Sequence, residues 1–376
     1  MTELARGTVP EIIPGLPQGL PGGLRNYWYP ILQTEELPAA QPVAVTVLGD
    51  PLVVWRNAAG EPCVAIDRCP HRSIRLSVGR VLAGDLQCVL HGLRFDGAGR
   101  CTLIPWETER GRNHERLGVQ AFPARELGGY IWAYLGDAAA FPPPPLEAEV
   151  PEELLYPEAF IWFRLPTQVW ESNWLLAIDG SDAFHAVTLH TMSQSAADIA
   201  RQGGVPLEDR RVQIVRTSHG IRGVSVDLEG HPIGHGHFTS DVRGERFVLP
   251  CLSTNPIQPA PGVPPYASRL WQFPVDETHT CVVRFLTFRA ATPEERARAE
   301  ETFETVARAR IERVGEEDAW AAKAQGDLVQ ARLHENLLGP DEDVVKVRRM
   351  IAAAHIAQLT GRKRHGVPPG ALECPL

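Results

Sequence analysis

The chain carries Cys69-Pro70-His71-Arg72 and, after residues 73–87, Cys88-Val89-Leu90-His91, and these two stretches decide its fold. Each stretch offers one cysteine and one histidine, spaced as C-x-H and then as C-x-x-H. A structural zinc finger instead pairs like with like, two cysteines followed by two histidines. The mixed pairs favour a [2Fe–2S] cluster with both cysteines on one iron and both histidines on the other.

Two other interpretations compete with this one, an unusual zinc site and four unrelated core residues. Four ligand-type residues rarely fall at such a spacing by chance, so we favour the iron–sulfur cluster. Neutral imidazoles in place of thiolates raise the reduction potential above that of an all-cysteine cluster. The sequence therefore predicts a Rieske centre held by Cys69, His71, Cys88 and His91.

Composition limits the remaining possibilities. A chain of 376 residues indicates two or three domains, and a formal net charge of −9 leads us to expect no nucleic-acid partner. No apolar run approaches the length of a membrane span, and the Pro- and Gly-rich start lacks the features of a signal peptide. Two of the seven cysteines belong to the predicted cluster and the other five form no evident framework. We therefore expect a cytoplasmic protein without a membrane partner.

Short strands and turns flank the predicted cluster ligands. Residues 42–56 alternate around a Gly-Asp-Pro turn, which predicts a hairpin, and further strands are expected at 62–67 and 129–136. The sequence thus predicts an all-β Rieske domain over 41–140, preceded by an N-terminal extension over 1–40. We expect its cluster ligands at hairpin tips, where backbone N–H groups can point at the sulfurs.

A stiff linker, Phe141 followed by four prolines, marks the change to a different pattern. The stretch 292–326 begins with Thr-Pro-Glu-Glu and continues with apolar residues at helical spacing, and a last helix is expected at 341–360. Strands of an antiparallel sheet are predicted at 159–170, 211–217, 221–228, 268–274 and 280–288. The fold class is therefore α+β, with a catalytic domain over 141–376.

A second metal site is indicated by the pattern D-x-x-H-x₄-H at Asp182, His185 and His190. Two histidines and one carboxylate leave coordination positions open on a mononuclear non-haem Fe(II). On a regular helix His190 sits about 140° round from His185, so the helix must end, bend or bulge between them. Alone this histidine pair is weak evidence. A one-electron carrier in the same chain strengthens it, because it implies an iron that receives electrons.

The third ligand is expected from the C-terminal region, where Asp341-Glu342-Asp343 opens a helix. Acidic residues there also have an ordinary explanation, since they complement the positive end of the helix dipole. The residues alone do not choose between Asp341 and Asp343.

These motifs resemble those of the catalytic α subunit of Rieske non-haem iron aromatic-ring-hydroxylating oxygenases, over nearly the whole chain. The closest likeness is to the carbazole dioxygenase type of terminal oxygenase. One departure is that carbazole-type enzymes have three residues between the two histidines, whereas this chain has four. The resemblance is carried by NYWYP near the start, CPHR and LHGLRFD, GYIWAYLGD before the prolines, SNW with D-x-x-H, and DAWAAKA and GPDEDVV near the end.

The resemblance implies a Rieske domain followed by a helix-grip domain. It implies His185 and His190 as ligands of the mononuclear iron, and its pattern of Asp, any two residues, an apolar residue and Val assigns Asp341 as the carboxylate. Asp182 matches the acidic residue that bridges a cluster histidine of one subunit to an iron-ligand histidine of the next. In that family electrons cross between subunits of a homotrimer.

The function implied is that of a multicomponent oxygenase. Electrons from NAD(P)H would reach the Rieske cluster through a separate flavin reductase, with or without a ferredoxin, and O2 would be consumed. The products expected are those of hydroxylation, cis-dihydroxylation or oxidative dealkylation of an aromatic or heterocyclic substrate. Asp179 is a candidate to accept a substrate N–H or to support the site, and Phe184 is a candidate to line the cavity.

Three alternatives remain beside this hypothesis. A stand-alone Rieske electron carrier would end near residue 110, and the respiratory type would carry extra cysteines where Ser73 and Leu93 stand. A monooxygenase of the steroid- or chlorophyllide-modifying branch shares the metals and differs in its pocket. A degenerate, non-enzymatic sensor is disfavoured by the intact set of ligands.

Substitution of Asp182 tests the bridging role. We expect Asp182→Ala to keep both metal centres and yet nearly stop turnover, because a carboxylate between two imidazoles accepts N–H bonds from both and couples their protonation to electron flow. Metal analysis and the visible spectrum report the centres, and product formation reports turnover. Normal activity in this variant would refute the bridge.

Overall fold

The computed structural model describes most of the chain, namely residues 11–13, 16–107, 112–180, 185, 189–190, 211–217, 220–226, 229, 247–257, 259, 262–338 and 341–361. The chain divides into two compact units. The N-terminal unit is Leu24–Leu155, and the C-terminal unit combines Met1–Gly23 with Tyr156–Leu376. The described residues up to Gly23 thus group with the C-terminal unit, and the N-terminal unit continues past the prolines to Leu155.

The N-terminal unit is built from eleven described strands in three antiparallel sheets. Before it, β1 (Glu11–Ile13) and β2 (Leu16–Pro17) pair with each other in the C-terminal unit. The strands of the N-terminal unit are β3 (Tyr27–Gln33), β4 (Val43–Val47), β5 (Asp50–Arg56), β6 (Pro62–Ile66), β7 (Arg80–Leu82), β8 (Asp85–Gln87), β9 (Arg94–Phe95), β10 (Cys101–Leu103), β11 (Ala121–Phe122), β12 (Ala124–Leu127) and β13 (Tyr130–Leu135). A short helix, α1 (Arg112–Arg116), follows β10.

The three sheets have the strand orders β10-β9-β8-β7, β11-β6-β5-β4 and β12-β13-β3. Alternating apolar residues form the predicted hairpin β4–β5, and the buried side chains of Trp55 and Leu86 join two of the sheets in one core. Cys69 and Cys88 are buried in that same core. The cluster cysteines are therefore anchored between sheets, and an all-β first domain is confirmed.

The C-terminal unit contains an antiparallel sheet of order β14-β21-β20-β19-β18, with β15 also paired to β21, and a separate hairpin β16–β17. Its strands are β14 (Phe160–Arg164), β15 (Gln168–Trp170), β16 (Arg211–Thr217), β17 (Gly220–Val226), β18 (Phe247–Val248), β19 (Leu252–Ile257), β20 (Tyr266–Pro274) and β21 (Thr280–Arg289). Sequence analysis did not predict β18 or β19. The single strand predicted at 159–170 is two strands, because Pro166 has no N–H for the ladder.

Helices complete the C-terminal unit. They are α2 (Trp174–Asp179), α3 (Pro293–Thr302), α4 (Arg308–Ala324), α5 (Leu328–His334) and α6 (Glu342–Leu359), and a π-helical turn at Phe303–Ala307 joins α3 to α4. Thr292 caps α3, and Glu295 closes the capping box, as its Thr-Pro-Glu-Glu start predicts. Sheet and helices together confirm the predicted α+β class. Within the described helices, none combines the length and apolar character needed to cross a bilayer.

Helix α4 and the turn before it lie on the sheet. Phe303 stacks on Phe163 of β14 with ring centroids 4.1 Å apart, and Ala307 and Ile311 continue the buried stripe. Ala322 near the end of α4 packs in a second apolar cluster with Ala177 of α2. Helix α4 therefore runs from the sheet's first strand to the end of α2.

Gly79→Ala tests the backbone packing around the cluster loops. A Cβ at Gly79 would overlap the backbone oxygen of Gln87, the residue before Cys88. We expect overpacking to cost about 1–3 kcal/mol in the unfolding free energy of the N-terminal unit, and to weaken the visible spectrum of the cluster. Chemical denaturation followed by circular dichroism measures the first effect.

Gly118→Ala is the matched control in the same unit, because the only atom near an added Cβ there is the Gly99 carbonyl oxygen, at an ordinary contact distance of 3.5 Å. We expect it to change stability by no more than about 0.5 kcal/mol. Equal stability of the two variants would show that the loop tolerates the side chain.

Candidate metal centres

The two predicted cluster loops have the same backbone geometry. Cys69 N–H donates to the carbonyl of Ile74 at 2.8 Å, and Cys88 N–H donates to that of Leu93 at 2.8 Å. Four residues after each cysteine, Ser73 and Gly92 donate back to the cysteine carbonyls and take positive φ angles of 56° and 76°. The Cys88 loop closes the β8–β9 hairpin, as predicted, whereas the Cys69 loop connects β6 to β7 in another sheet.

The two cysteine sulfurs lie next to each other in this arrangement. The Cys69 thiol forms a hydrogen bond with Cys88, and the backbone N–H groups of His71 and Arg72 donate to the Cys69 sulfur. Burial is the main reason that the pKa of the Cys69 thiol rises to about 11, with the two N–H groups opposing the rise and Cys88 adding to it. The expected backbone donors to a cluster sulfur are therefore present.

The two imidazoles form the outer side of this site. The ring centroids of His71 and His91 are 4.7 Å apart, and the indole of Trp106 lies 5.7 Å from His71 and 6.1 Å from His91. His71 is exposed, while Cys69 and Cys88 are buried. Buried sulfurs and outer imidazoles fit a [2Fe–2S] cluster with one histidine-bound iron near the surface.

A second group of ligand-type side chains lies in the C-terminal unit. His185, His190 and Asp318 bring one ligand atom each within 4.8 Å of one another. Nε2 of His185 lies 3.4 Å from Oδ1 of Asp318, and Nε2 of His190 lies 3.5 Å from the same oxygen. The imidazole centroids are 5.0 Å apart. We call these three residues the His–His–Asp triad.

The carboxylate of this triad is not the one that sequence analysis selected. Asp341 stands at the start of α6, where its carboxylate accepts the N–H of Leu338 at 2.6 Å, and it is not in the triad. The assignment of Asp341 is therefore corrected to Asp318. Acidic residues at a helix start are common for electrostatic reasons, so the pattern there did not distinguish a ligand from a helix-end residue.

The position of Asp318 has a signal in the sequence that was missed. Ile311, Gly315, Asp318 and Ala322 follow one another at spacings of four, three and four, which is the period of a single helix face. Ile311, Gly315 and Ala322 are buried. A carboxylate on the buried stripe of the predicted helix 292–326 needs a charged or metal partner, and that requirement could have identified it.

Gly315 lets α4 approach the sheet closely at this point. A Cβ there would lie 3.2 Å from both Arg284 Nη1 and Gln168 Oε1. Because Gly315 has no Cβ, the Arg284 side chain of β21 fits at this point. Its Nη1 donates to the Ile311 carbonyl at 2.9 Å, and its Nη2 lies 4.0 Å from Asp318 Oδ2. Burial lowers the pKa of the Arg284 guanidinium, and the charge of Asp318 opposes this shift. One end of the carboxylate thus faces a cation and the other faces the histidines.

The triad fits a divalent metal ion. Asp318 Oδ1, the oxygen on which both Nε2 atoms converge, is buried and accepts no hydrogen bond from the described residues. Leaving such an oxygen without a partner is costly. Two imidazole nitrogens and a carboxylate oxygen are a donor set that suits Fe(II) with open positions. These three residues would hold the metal.

Asp179 has partners that account for its burial. Arg348 donates to both of its oxygens at 3.0 and 2.8 Å, and Arg332 Nη2 lies 2.6 Å from Oδ2. Glu335 contacts both arginines. These contacts tie the end of α2 to α5 and α6, which is compatible with the supporting role, one of the two roles that the sequence leaves open for Asp179. Asp182 and Phe184 lie outside the described residues.

Fold and sites together define a Rieske-type protein whose second domain carries a group of metal-ligand side chains, and comparisons with known proteins agree. The sequence profile of the Rieske [2Fe-2S] domain matches residues 27–123, and that of the homotrimeric ring hydroxylase matches residues 134–358. The chain therefore belongs to the homotrimeric ring hydroxylase family. This match favours the oxygenase interpretation over a stand-alone electron carrier.

Individual relatives are oxygenase components. The chain is 34% identical over 189 residues to the oxygenase subunit of 3-chlorobenzoate-3,4-dioxygenase from Comamonas testosteroni, covering 49% of this chain and 41% of that subunit. It is 28% identical over 358 residues to the terminal oxygenase component CarAa of carbazole 1,9a-dioxygenase from Metapseudomonas resinovorans, covering 87% and 90%. The chain thus spans less than half the length of the chlorobenzoate subunit.

A solved structure shares the fold. It is a fluorene-bound oxygenase and ferredoxin complex of carbazole 1,9a-dioxygenase, with 25% identity, a TM-score of 0.64, and coverage of 88% of this chain and 91% of that one. The likeness extends through both units, which confirms the predicted order of a Rieske domain and a sheet-and-helix domain.

Replacing each of the two candidate carboxylates by alanine in turn tests the triad. We expect Asp318→Ala to lower the iron content from about three to about two per chain, because the mononuclear site loses its carboxylate while the cluster keeps its own ligands. Asp341→Ala is the matched control and should retain all of its iron. Iron analysis and the visible spectrum measure both centres. Loss of iron in the Asp341 variant, with retention in the Asp318 variant, would restore the original assignment.

Proposed function

We propose that this chain is the terminal oxygenase component of a multicomponent Rieske non-haem iron oxygenase. The observation that carries the proposal is the convergence of His185 Nε2 and His190 Nε2 on Asp318 Oδ1, in a chain that also places two Cys–His loops side by side. A protein that only carries electrons needs the two Cys–His loops and no His–His–Asp triad. A separate site with open coordination positions is required for a reaction with O2.

The residues divide the work between the two centres. When bound, the [2Fe–2S] cluster supplies single electrons and the mononuclear iron supplies the activation of O2. Cys69 and Cys88 would hold the cluster within the core, and His71 and His91 would hold it on the outer side. The triad offers three protein ligands, and Arg284 balances the charge of Asp318 from the side away from the histidines.

The remaining parts of the proposal concern partners and substrate. Electrons come from NAD(P)H through a flavin reductase, with a ferredoxin as intermediate carrier, as the ferredoxin complexes of similar oxygenases suggest. The active assembly is a homotrimer, in keeping with the description of the family. Asp182 carries the bridging role between subunits. The substrate is an aromatic or heterocyclic compound, the class to which 3-chlorobenzoate and carbazole, named for two of its relatives, belong.

A cytoplasmic location is part of this proposal. Six described cysteines are free, and two of them are the proposed cluster ligands. Free buried thiols are typical of proteins kept in a reducing compartment.

Aerobic turnover under ¹⁸O₂ tests the proposed function. The metal-loaded chain, a surrogate ferredoxin and reductase, and NAD(P)H are incubated with a panel of aromatic and heterocyclic compounds. We expect consumption of NAD(P)H and a product carrying ¹⁸O, identified by mass spectrometry, because O2 is the source of the inserted oxygen. For oxidative dealkylation the label is sought in the aldehyde released.

Asp318→Ala provides the control, since its cluster should still accept electrons while no labelled product forms. A parent chain whose cluster is reduced but which transfers no ¹⁸O to any compound of the panel would favour an electron carrier instead.

A further inference from the structure

We propose that Glu317 is a positioning residue for the mononuclear site, which holds His190 in the one tautomer and orientation that can bind the metal. The proposal rests on the proposed function, because it assumes that the His–His–Asp triad is a metal site. It adds to that site a carboxylate which no sequence motif indicated and which does not itself join the triad.

The contact that carries the proposal is short and specific. Oε2 of Glu317 lies 2.7 Å from Nδ1 of His190, across a sequence separation of 127 residues. An ionised carboxylate can only accept hydrogen bonds, so the proton of a neutral imidazole is drawn to Nδ1. The lone pair then resides on Nε2, which is the atom that lies 3.5 Å from Asp318 Oδ1. The hydrogen bond thus selects the tautomer with its free nitrogen towards the metal.

Helix geometry links this role to that of the neighbouring ligand. Glu317 and Asp318 are consecutive residues of α4, and successive side chains of a helix point about 100° apart. Glu317 therefore reaches the far side of the His190 ring while Asp318 reaches the near side. A single rigid turn sets both distances, and a ligand and its orienting partner cannot drift independently.

Burial makes the contact effective. The side chains of His190 and Glu317 are 8% and 15% exposed, so water competes weakly for the imidazole N–H. The second oxygen of Glu317, Oε1, is buried and receives no hydrogen bond from the described residues. Two adjacent, largely buried carboxylates with one guanidinium at 4.0 Å leave an excess of negative charge, which a divalent cation would offset.

Glu317 could instead serve only the fold, by tying α4 to the segment that carries His190. The two roles differ in what they predict for metal affinity. If the contact serves only the fold, its loss lowers the stability of the protein. If it positions His190, its loss lowers the metal affinity of the correctly folded protein, and another hydrogen-bond acceptor at position 317 restores part of that affinity. Glutamine keeps an acceptor oxygen and loses the charge, so it distinguishes the roles.

Binding of Co(II) provides the test, because it is measured without turnover. The protein with its [2Fe–2S] cluster intact is treated with a mild chelator to remove mononuclear iron and is then titrated with Co(II) against a chromophoric competitor. We expect Glu317→Ala to weaken Co(II) binding about 10–100-fold and Glu317→Gln to weaken it only about 2–10-fold, as for other carboxylate–histidine–metal contacts. Glu316→Ala and Glu316→Gln are the matched controls, since Glu316 is the exposed neighbour on the same helix, and we expect them within about twofold of the parent.

The outcomes distinguish this proposal from the proposed function on which it rests. A parent protein that binds no Co(II) overturns the proposed metal site and this inference with it. If the folded Glu317→Ala variant binds Co(II) as tightly as the parent protein, the inference alone is overturned. Folding is checked by the visible spectrum of the cluster and the unfolding midpoint. Should Glu317→Ala fail to fold, Glu317→Gln set against Glu316→Gln decides, and equal affinities overturn the proposal.

Discussion

The approach of two imidazole nitrogens to one buried carboxylate oxygen is the constraint on which the C-terminal unit depends. Oδ1 of Asp318 lies within 3.5 Å of Nε2 of both His185 and His190 and has no hydrogen-bond donor among the described residues. Such an oxygen is tolerable on a buried helix face only if a cation completes its surroundings. The close packing of α4 at Gly315 and the buried charge of Arg284 serve to bring it there.

The histidines need an equally firm support on their own side. Helix α2 precedes them, and its first turn is capped by Asn173, which also donates to the carbonyls of Pro21 and Glu277. Its last residue, Asp179, is held by two arginines. The chain therefore leaves α2 from a fixed point, six residues before His185. Contacts between residues far from the triad in sequence thus fix the point from which the chain runs to His185.

Prediction succeeded where the chemistry is local in sequence. The four cluster residues lie in two stretches whose spacing alone indicates the cofactor, and the strands around them follow from alternating apolar residues. It failed for the third member of the triad, because Asp318 is brought to the histidines only by the packing of α4 on the sheet. The pattern at Asp341 combined a resemblance with an ordinary helix-end preference, and the sequence could not separate the two. Burial of a charge along a helix stripe was the stronger signal.

The π-helical turn at Phe303–Ala307 has a consequence for the identity of the metal ligand. Buried positions spaced by four drift about 40° per step around a helix of 3.6 residues per turn, and a wider turn takes up part of that drift. It behaves as one residue inserted into the helix. Removing one residue from it would therefore restore an ordinary helical turn and leave Asp318 in place, whereas removing one residue between the turn and Asp318 would bring Ala319 to the position now held by Asp318. A turn that begins fifteen residues before Asp318 thus absorbs one residue, and the carboxylate of Asp318 meets the histidines in place of the methyl group of Ala319.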